Sequence, residues 1–246
     1  MIVDIHNHVL PGLDDGAQSM EEAILLVRNA AEEGVTHIIA TPHQNGMYTN
    51  DASRILKAVE ELNREIANTN IAIEVLPGQE VHFFSCMDAD KSGELVTLAN
   101  KGKHILVELP DDHFPLFTYD VLFQLQLKGY TPILAHPERN RILRNRKQKL
   151  YELVAKGVLI QLSASTVVGK KGRSAKRYAE ELMEHRLVHF ISSDAHDPID
   201  RPFALGKAYQ HIRKRFSVDV EDYFKRNAKC VVEGDECKPL PPIDFA

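Results

Sequence analysis

Cysteine is scarce in this chain. Cys86, Cys230 and Cys237 are an odd, sparse set that makes a poor disulfide framework and suits a reducing cytosol. Long apolar runs are missing too. None approaches the ~20 residues of a membrane span, so no membrane insertion is expected. Residues 1–6 carry neither a basic n-region nor a long apolar h-region. No signal peptide is therefore expected, and the expected location is the cytoplasm. Positive charge is not in excess: 30 Lys+Arg stand against 35 Asp+Glu, a formal net charge of −5, which gives no reason to expect a nucleic-acid partner. Low-complexity linkers and internal repeats are also absent, so residues 1–246 are expected to form one domain. That length suits an α/β barrel.

What is present is an alternation of short apolar runs and longer amphipathic segments. Strands are expected at 2–5, 37–41, 71–76, 104–109, 131–135, 158–162 and 188–192. Helices are expected at 19–33, 51–67, 119–128, 145–156, 174–185, 202–216 and 220–229. Ser19 with Glu22 reads as a capping box, and Gly34 follows the end of that helix. Seven strands mostly separated by helices argue for a parallel sheet with both faces covered. A closed, TIM-like (β/α)7 barrel is the expected fold, with a doubly wound open sheet as the competing topology. The Pro-rich stretch at 238–242 is expected to lie extended on the surface.

The polar residues at the strand ends form a pattern. The first strand runs into His6-Asn7-His8, and in an extended segment residues two apart point to one side. Asp14 and Asp15 follow in a Gly-flanked loop. The second strand ends at Thr41-Pro42-His43, the third leads to Gly78-Gln79-Glu80, the fourth ends at Glu108, the fifth at His136, and the seventh at Asp194-Ala195-His196. Six of the seven strands thus deliver an imidazole or carboxylate at the end where barrel enzymes build their sites. Any one of these residues alone would pass as a satisfied polar side chain or an ordinary ion-pair partner; their joint placement points to chemistry. The candidate ligands are His6, His8, Asp14, His43, Glu80, Glu108, His136, Asp194 and His196. Nitrogen and oxygen donors without thiolates suit Mn²⁺, Fe or Zn²⁺. At roughly four to six ligands per ion, the set implies two or three metals.

These residues resemble the PHP (polymerase and histidinol phosphatase) superfamily. Three stretches are closer still to one branch: His8-Val9-Leu10-Pro11-Gly12-Leu13-Asp14-Asp15-Gly16-Ala17, Ala40-Thr41-Pro42-His43-Gln44-Asn45-Gly46 and Ala135-His136-Pro137-Glu138-Arg139-Asn140. They look like the CpsB/YwqE-type bacterial tyrosine phosphatases, and the likeness covers nearly the whole chain. The resemblance implies a distorted PHP-type barrel and a manganese-preferring trinuclear site. One metal would take His6, His8, Glu80 and Asp194. A second would share Glu80 and take Glu108 and His136, and a third would take Asp14, His43 and His196. It also implies a substrate: a tyrosine-phosphorylated protein, typically the autophosphorylated bacterial kinase that controls capsule or exopolysaccharide synthesis.

A cysteine-dependent phosphatase would need an Arg six residues after its nucleophile. Ser92, Glu236 and Ile243 stand there instead. The expected mechanism is in-line attack on phosphorus by a metal-bridging hydroxide. Arg139 and Arg201, on loops that carry ligands, are the candidate forked cations for the phosphoryl group. The basic run Arg139, Arg141, Arg144, Arg146, Lys147, Lys149 fits a solvated helix face or a docking surface for an acidic, phosphorylated kinase tail. Two rivals remain at this level: a small-molecule phosphatase such as histidinol phosphatase, and a catalytically silent metal-binding module that docks the kinase.

Overall fold

The computed structural model describes residues 1–86 and 95–245. Its strands are β1 (Val3–Asp4), β2 (His37–Ala40), β3 (His43–Gln44), β4 (Glu74–Pro77), β5 (Glu80–His82), β6 (His104–Glu108), β7 (Thr131–Ala135), β8 (Leu159–Ser163) and β9 (Phe190–Ser192). The strand pairings are parallel. Two of the expected strands, at 37–41 and 71–76, are each continued after a break by a second short strand. Pro42, between β2 and β3, has no N–H to give a ladder. Gly78, between β4 and β5, lies so near its neighbour that a Cβ there would sit 2.7 Å from Ile39 Cγ2. Glu80 N still donates to Pro42 O (3.2 Å), so pairing passes across the breaks.

The ladder β1-β2-β4 thereby hands over to β3-β5-β6-β7-β8-β9. The ring closes where Asn7 bridges Ala195 in parallel. There Asp194 N donates to His6 O and His8 N to Ala195 O, each at 2.8 Å. The result is a closed α/β barrel of seven parallel staves, distorted at the two breaks. An open doubly wound sheet is excluded, because its two edges are joined.

The helices are α1 (Met20–Glu32), α2 (Ala52–Ala67), α3 (Phe83–Cys86), α4 (Thr118–Leu127), α5 (Arg141–Asn145), α6 (Gln148–Ala155), α7 (Ala164–Val167), α8 (Arg173–Glu184), α9 (Leu205–Arg215) and α10 (Val218–Glu233). Ser19 Oγ caps α1 by accepting from Glu22 N (3.3 Å), while Glu22 reaches back to Gln18 N, one residue earlier than a capping box requires. The helix expected at 145–156 is α6, and a further short helix, α5, precedes it. Asn140 caps α5, its Oδ1 accepting from Ile142 N and Leu143 N at 2.9 Å.

Two apolar clusters hold this frame. The outer one packs Leu26, Val27, Ile55, Leu62, Leu182 and Ile212 of the helices against the staves. The inner one fills the barrel with Ile5, Ile39, Leu106, Ile133, Leu159 and Phe190, and Ala228 and Val231 of α10 join it. Inward positions recur every second residue. Along β8 they read Leu159, Gln161, Ser163, changing from apolar to polar toward the strand's C-terminal end.

Candidate metal centre

That polar end gathers the imidazoles and carboxylates. His6 Nε2 lies 3.2 Å from Glu80 Oε1 and 3.6 Å from Asp194 Oδ1. His8 Nε2 lies 3.5 Å from Glu80 Oε2 and 3.7 Å from Asp194 Oδ1. His136 Nε2 is 3.0 Å from Glu80 Oε1 and 3.7 Å from Glu108 Oε1. His43 Nδ1 is 2.9 Å from Glu80 Oε2, and its Nε2 is 3.4 Å from Asp15 Oδ1. His196 Nε2 is 3.5 Å from that same Asp15 oxygen. Glu80 is central: both of its oxygens face imidazole nitrogens, as a bridging ligand requires.

The donors fall into overlapping groups whose ligand atoms lie within 4.8 Å of one another: His6–His8–Asp194, His6–Glu80–His136, His43–Glu80–Glu108, and His8–Asp15–His43–His196. Eight of the nine expected ligands are therefore brought together. The ninth, Asp14, is not among them. Its Oδ2 accepts from His8 Nδ1 (2.6 Å) and His43 N (3.0 Å), and its Oδ1 from Gly16 N (2.9 Å). With those bonds made, Asp14 orients His8, and the neighbouring Asp15 faces His43 and His196. Asp15 replaces Asp14 in the third expected group.

The hydrogen bonds around the imidazoles fix their tautomers. His6 Nδ1 meets Gln161 Oε1 (3.0 Å), His8 Nδ1 meets Asp14, and His196 Nδ1 meets the Asp194 carbonyl (3.1 Å). A nitrogen facing an oxygen acceptor carries the proton, so each Nε2 presents a lone pair. His6 Nε2 and His8 Nε2 then face each other at 3.4 Å, two lone pairs with no proton between them. Glu80 Oε2, fully buried, has no hydrogen-bond partner despite its approach to His43. Such an arrangement is repulsive alone and favourable around a cation, so the residues fit a multinuclear metal site.

The protonation pattern agrees at His8 and Glu80 but not at His43, where burial is outweighed by Asp15, Glu80 and Glu108 and the imidazole is pushed up to about 11, so that a cation would have to displace its proton. Burial, reinforced by the charge of His196, pushes His8 down to about 3, the neutral form a ligand needs. Burial opposes ionisation of Glu80, yet His6, His136 and His43 hold it well below the usual carboxylate range. Burial and the nearby Glu80 charge raise Glu108. Backbone geometry is also exceptional here: His136 (φ 30°) and Asp194 (φ 53°) are both left-handed. Each costs about 1–3 kcal/mol, a strain that clusters at functional sites.

Arg139 and Arg201 converge on the outer side of Asp194. Arg201 Nη2 donates to both Asp194 oxygens at 3.0 and 2.9 Å. Arg139 Nη2 donates to Asp194 Oδ2 and to Ser163 Oγ (3.1 Å), while its Nε is buried and unpaired. A cavity of about 310 Å³ opens beside them, lined also by Lys170, Lys171, Ser165 and Pro202.

Residues 2–233 match the family model for capsular polysaccharide synthesis, CpsB/CapC. The chain belongs to the CpsB/CapC family. Among relatives of this family, the tyrosine-protein phosphatase YwqE of Bacillus subtilis is 36% identical over 98% of this chain and 95% of its own length. The putative tyrosine-protein phosphatase CapC of Staphylococcus aureus is 33% identical, over 99% and 96%. A crystal structure from work on YwqE of B. subtilis and CpsB of Streptococcus pneumoniae, described as unique metal-dependent tyrosine phosphatases, superimposes with a TM-score of 0.95 at 35% identity, covering 100% of both chains. The branch read from the three motifs is thus the CpsB/CapC family itself.

Sequence reasoning passed over three residues that shape the CpsB/CapC site. Gln161 was legible as a polar residue at an inward position of an apolar strand. Asp15 lay beside the residue chosen. Asp4, which accepts from Ser193 N (2.8 Å) and Ser193 Oγ at the barrel seam, had no signal beyond being a charge inside a strand.

Proposed function

We propose that this chain is a metal-dependent phosphotyrosine-protein phosphatase acting through one catalytic domain over residues 1–246. The observation that carries the reading is the pairing of a multinuclear donor cluster with two guanidinium groups at the rim of one cavity. His6, His8, Glu80 and Asp194 would hold one ion, Glu80, Glu108 and His136 a second, and Asp15, His43 and His196 a third. Mn²⁺ is our choice of metal, with Fe or Zn²⁺ accepted by the same donors. Bound there, such ions lower the pKa of water toward ~7 and neutralise phosphoryl oxygens.

The protein's own residues supply the rest. Gln161 and Asp14 keep the Nε2 atoms of His6 and His8 free of protons. Arg139 and Arg201 present N–H groups to the phosphoryl oxygens as charge develops. The unpaired Nε of Arg139 is a donor awaiting an acceptor. A tyrosyl oxygen leaves with a pKa near ~10, so it needs less help from an acid than an alkoxide does. Tyrosine-phosphorylated protein is the substrate class, with a bacterial tyrosine kinase controlling capsule synthesis as the expected partner and the cytoplasm as the expected location. No helix among the described residues is long and apolar enough to cross a membrane.

The test compares kcat/KM of the Mn²⁺-loaded protein on a phosphotyrosyl peptide and on histidinol phosphate. The peptide should be strongly preferred, and Arg139→Ala should lower its turnover about 10²–10³-fold, as loss of one preorganised donor does. Preference for histidinol phosphate would overturn the substrate, and an unchanged Arg139→Ala would remove that residue from the mechanism.

A further inference from the structure

A second basic concavity adjoins the catalytic cavity. It is a groove of about 630 Å³ between α5 and α8, lined by Arg141, Arg144 and Arg177 with Ser174 and Tyr178. The three arginines are exposed, and none is in a salt bridge among the described residues. The groove's one acid, Glu181, is neutralised by Lys147, and the Tyr178 hydroxyl donates to Leu143 O (3.0 Å). Three guanidinium groups in no salt bridge among the described residues stand around one depression, an arrangement that favours an anionic occupant.

Two short chain segments tie the groove to the active-site cavity. Arg139 lines the cavity and Arg141 the groove, two residues apart. Lys171 lines the cavity and Ser174 the groove, three apart. At no more than ~3.6 Å per residue, these steps put the groove within about 11 Å of the cavity. Lys170 and Lys171, exposed and in no salt bridge among the described residues, line the cavity and add to the positive charge near the groove. An extended peptide advances about 3.3 Å per residue, so side chains two to four positions from the cavity would lie over the groove. Of the basic run in the sequence, Arg141 and Arg144 belong here. Lys147 is paired, and Lys149 Nζ lies over the Phe114 ring, 4.7 Å from its centroid.

We propose that the α5–α8 groove is a subsite for acidic residues flanking the phosphotyrosine of the same substrate chain. This rests on the phosphotyrosine-phosphatase reading. The groove selects among phosphoproteins, and small phosphoesters do not reach it.

The test uses the Mn²⁺-loaded full chain and phosphotyrosyl peptides with Glu, Ala or Lys at two to four positions from the phosphotyrosine on either side, with p-nitrophenyl phosphate as the small substrate. Wild type should prefer the Glu peptide, and high salt should erase the preference. The doubly substituted R144E/R177E protein should lose about tenfold in kcat/KM on the Glu peptide, gain on the Lys peptide, and keep its p-nitrophenyl phosphate turnover. Equal wild-type turnover of all three peptides overturns the subsite, as does a uniform loss in the variant. If wild type cleaves p-nitrophenyl phosphate but no phosphotyrosyl peptide, the substrate reading itself fails.

Discussion

Adjacent carboxylates on one loop have different work. Asp14 is buried and accepts three hydrogen bonds, so it behaves as a fixed strut beneath His8. Asp15 is exposed on one side, and the neighbouring His196 and His43 hold its carboxyl well below the usual carboxylate range. The Asp15 oxygen meets only imidazole nitrogens, whereas the Asp14 oxygens are taken up by His8 Nδ1 and two backbone N–H groups, so Asp15 is placed as the direct donor and Asp14 as the orienting partner. Asp15→Ala should therefore lower bound Mn²⁺ by about one ion per chain, since it deletes a direct donor. Asp14→Asn should keep the full count at saturating metal while weakening affinity about 10–100-fold, the usual penalty for losing an orienting partner. Metal analysis after dialysis, alongside a titration, reads both. The opposite assignment, with Asp14→Asn losing the ion, would return Asp14 to the ligand set. The sequence offered no way to choose between them, because neither carries a periodic pattern and the choice turns on which carboxylate its own loop's N–H groups consume.

The element that makes this choice is the loop between β1 and α1. It folds back so tightly that Ala17 N donates to His8 O (3.1 Å) and Gly12 N to Ala17 O (2.8 Å). A Cβ on Gly16 would stand 2.0 Å from His8 O and 2.5 Å from His8 Cβ. Both atoms belong to a stave and a ligand, so neither yields cheaply. Gly16→Ala should cost about 1–3 kcal/mol, typical of forced overpacking. It should lower the melting temperature by about 2–4 °C per kcal/mol and reduce metal content with it. A melting curve unchanged from wild type would show that the loop has slack. Elements as a class were largely legible. All seven expected strand positions lie on staves, because apolar β-formers between turn residues have few alternatives. The breaks at Pro42 and Gly78 were visible as residues but not as interruptions, since a missing N–H matters only once the neighbouring stave is known. The extra helix ahead of 145–156 comes from Asn140, whose cap starts a helix earlier than the apolar period does.

Taken as a whole molecule, the ring draws its metal donors from six staves: His6 and His8 from the first, then His43, Glu80, Glu108 and His136, with Asp194 and His196 from the last. Ions held there would fasten stave to stave across the mouth of the barrel. Ligand binding to the folded state alone stabilises by about 2.7 kcal/mol at a hundredfold excess over Kd. Exhaustive chelation should thus lower the melting temperature by about 5–10 °C, and adding back Mn²⁺ should restore it. A melting temperature indifferent to metal would mean that the donors do not bind one in common. The seam between first and last staves adds a constraint in time. Asp4 and Ser193, which meet there, are separated by 189 residues. At about 5–20 residues per second, a ribosome takes roughly 10–40 s to travel from one to the other. Throughout that interval His6 and His8 wait on an unclosed stave, without the carboxylate of Asp194. No nascent fragment lacking the last stave can bring all of these donors together, so the centre is among the last parts of the barrel to form.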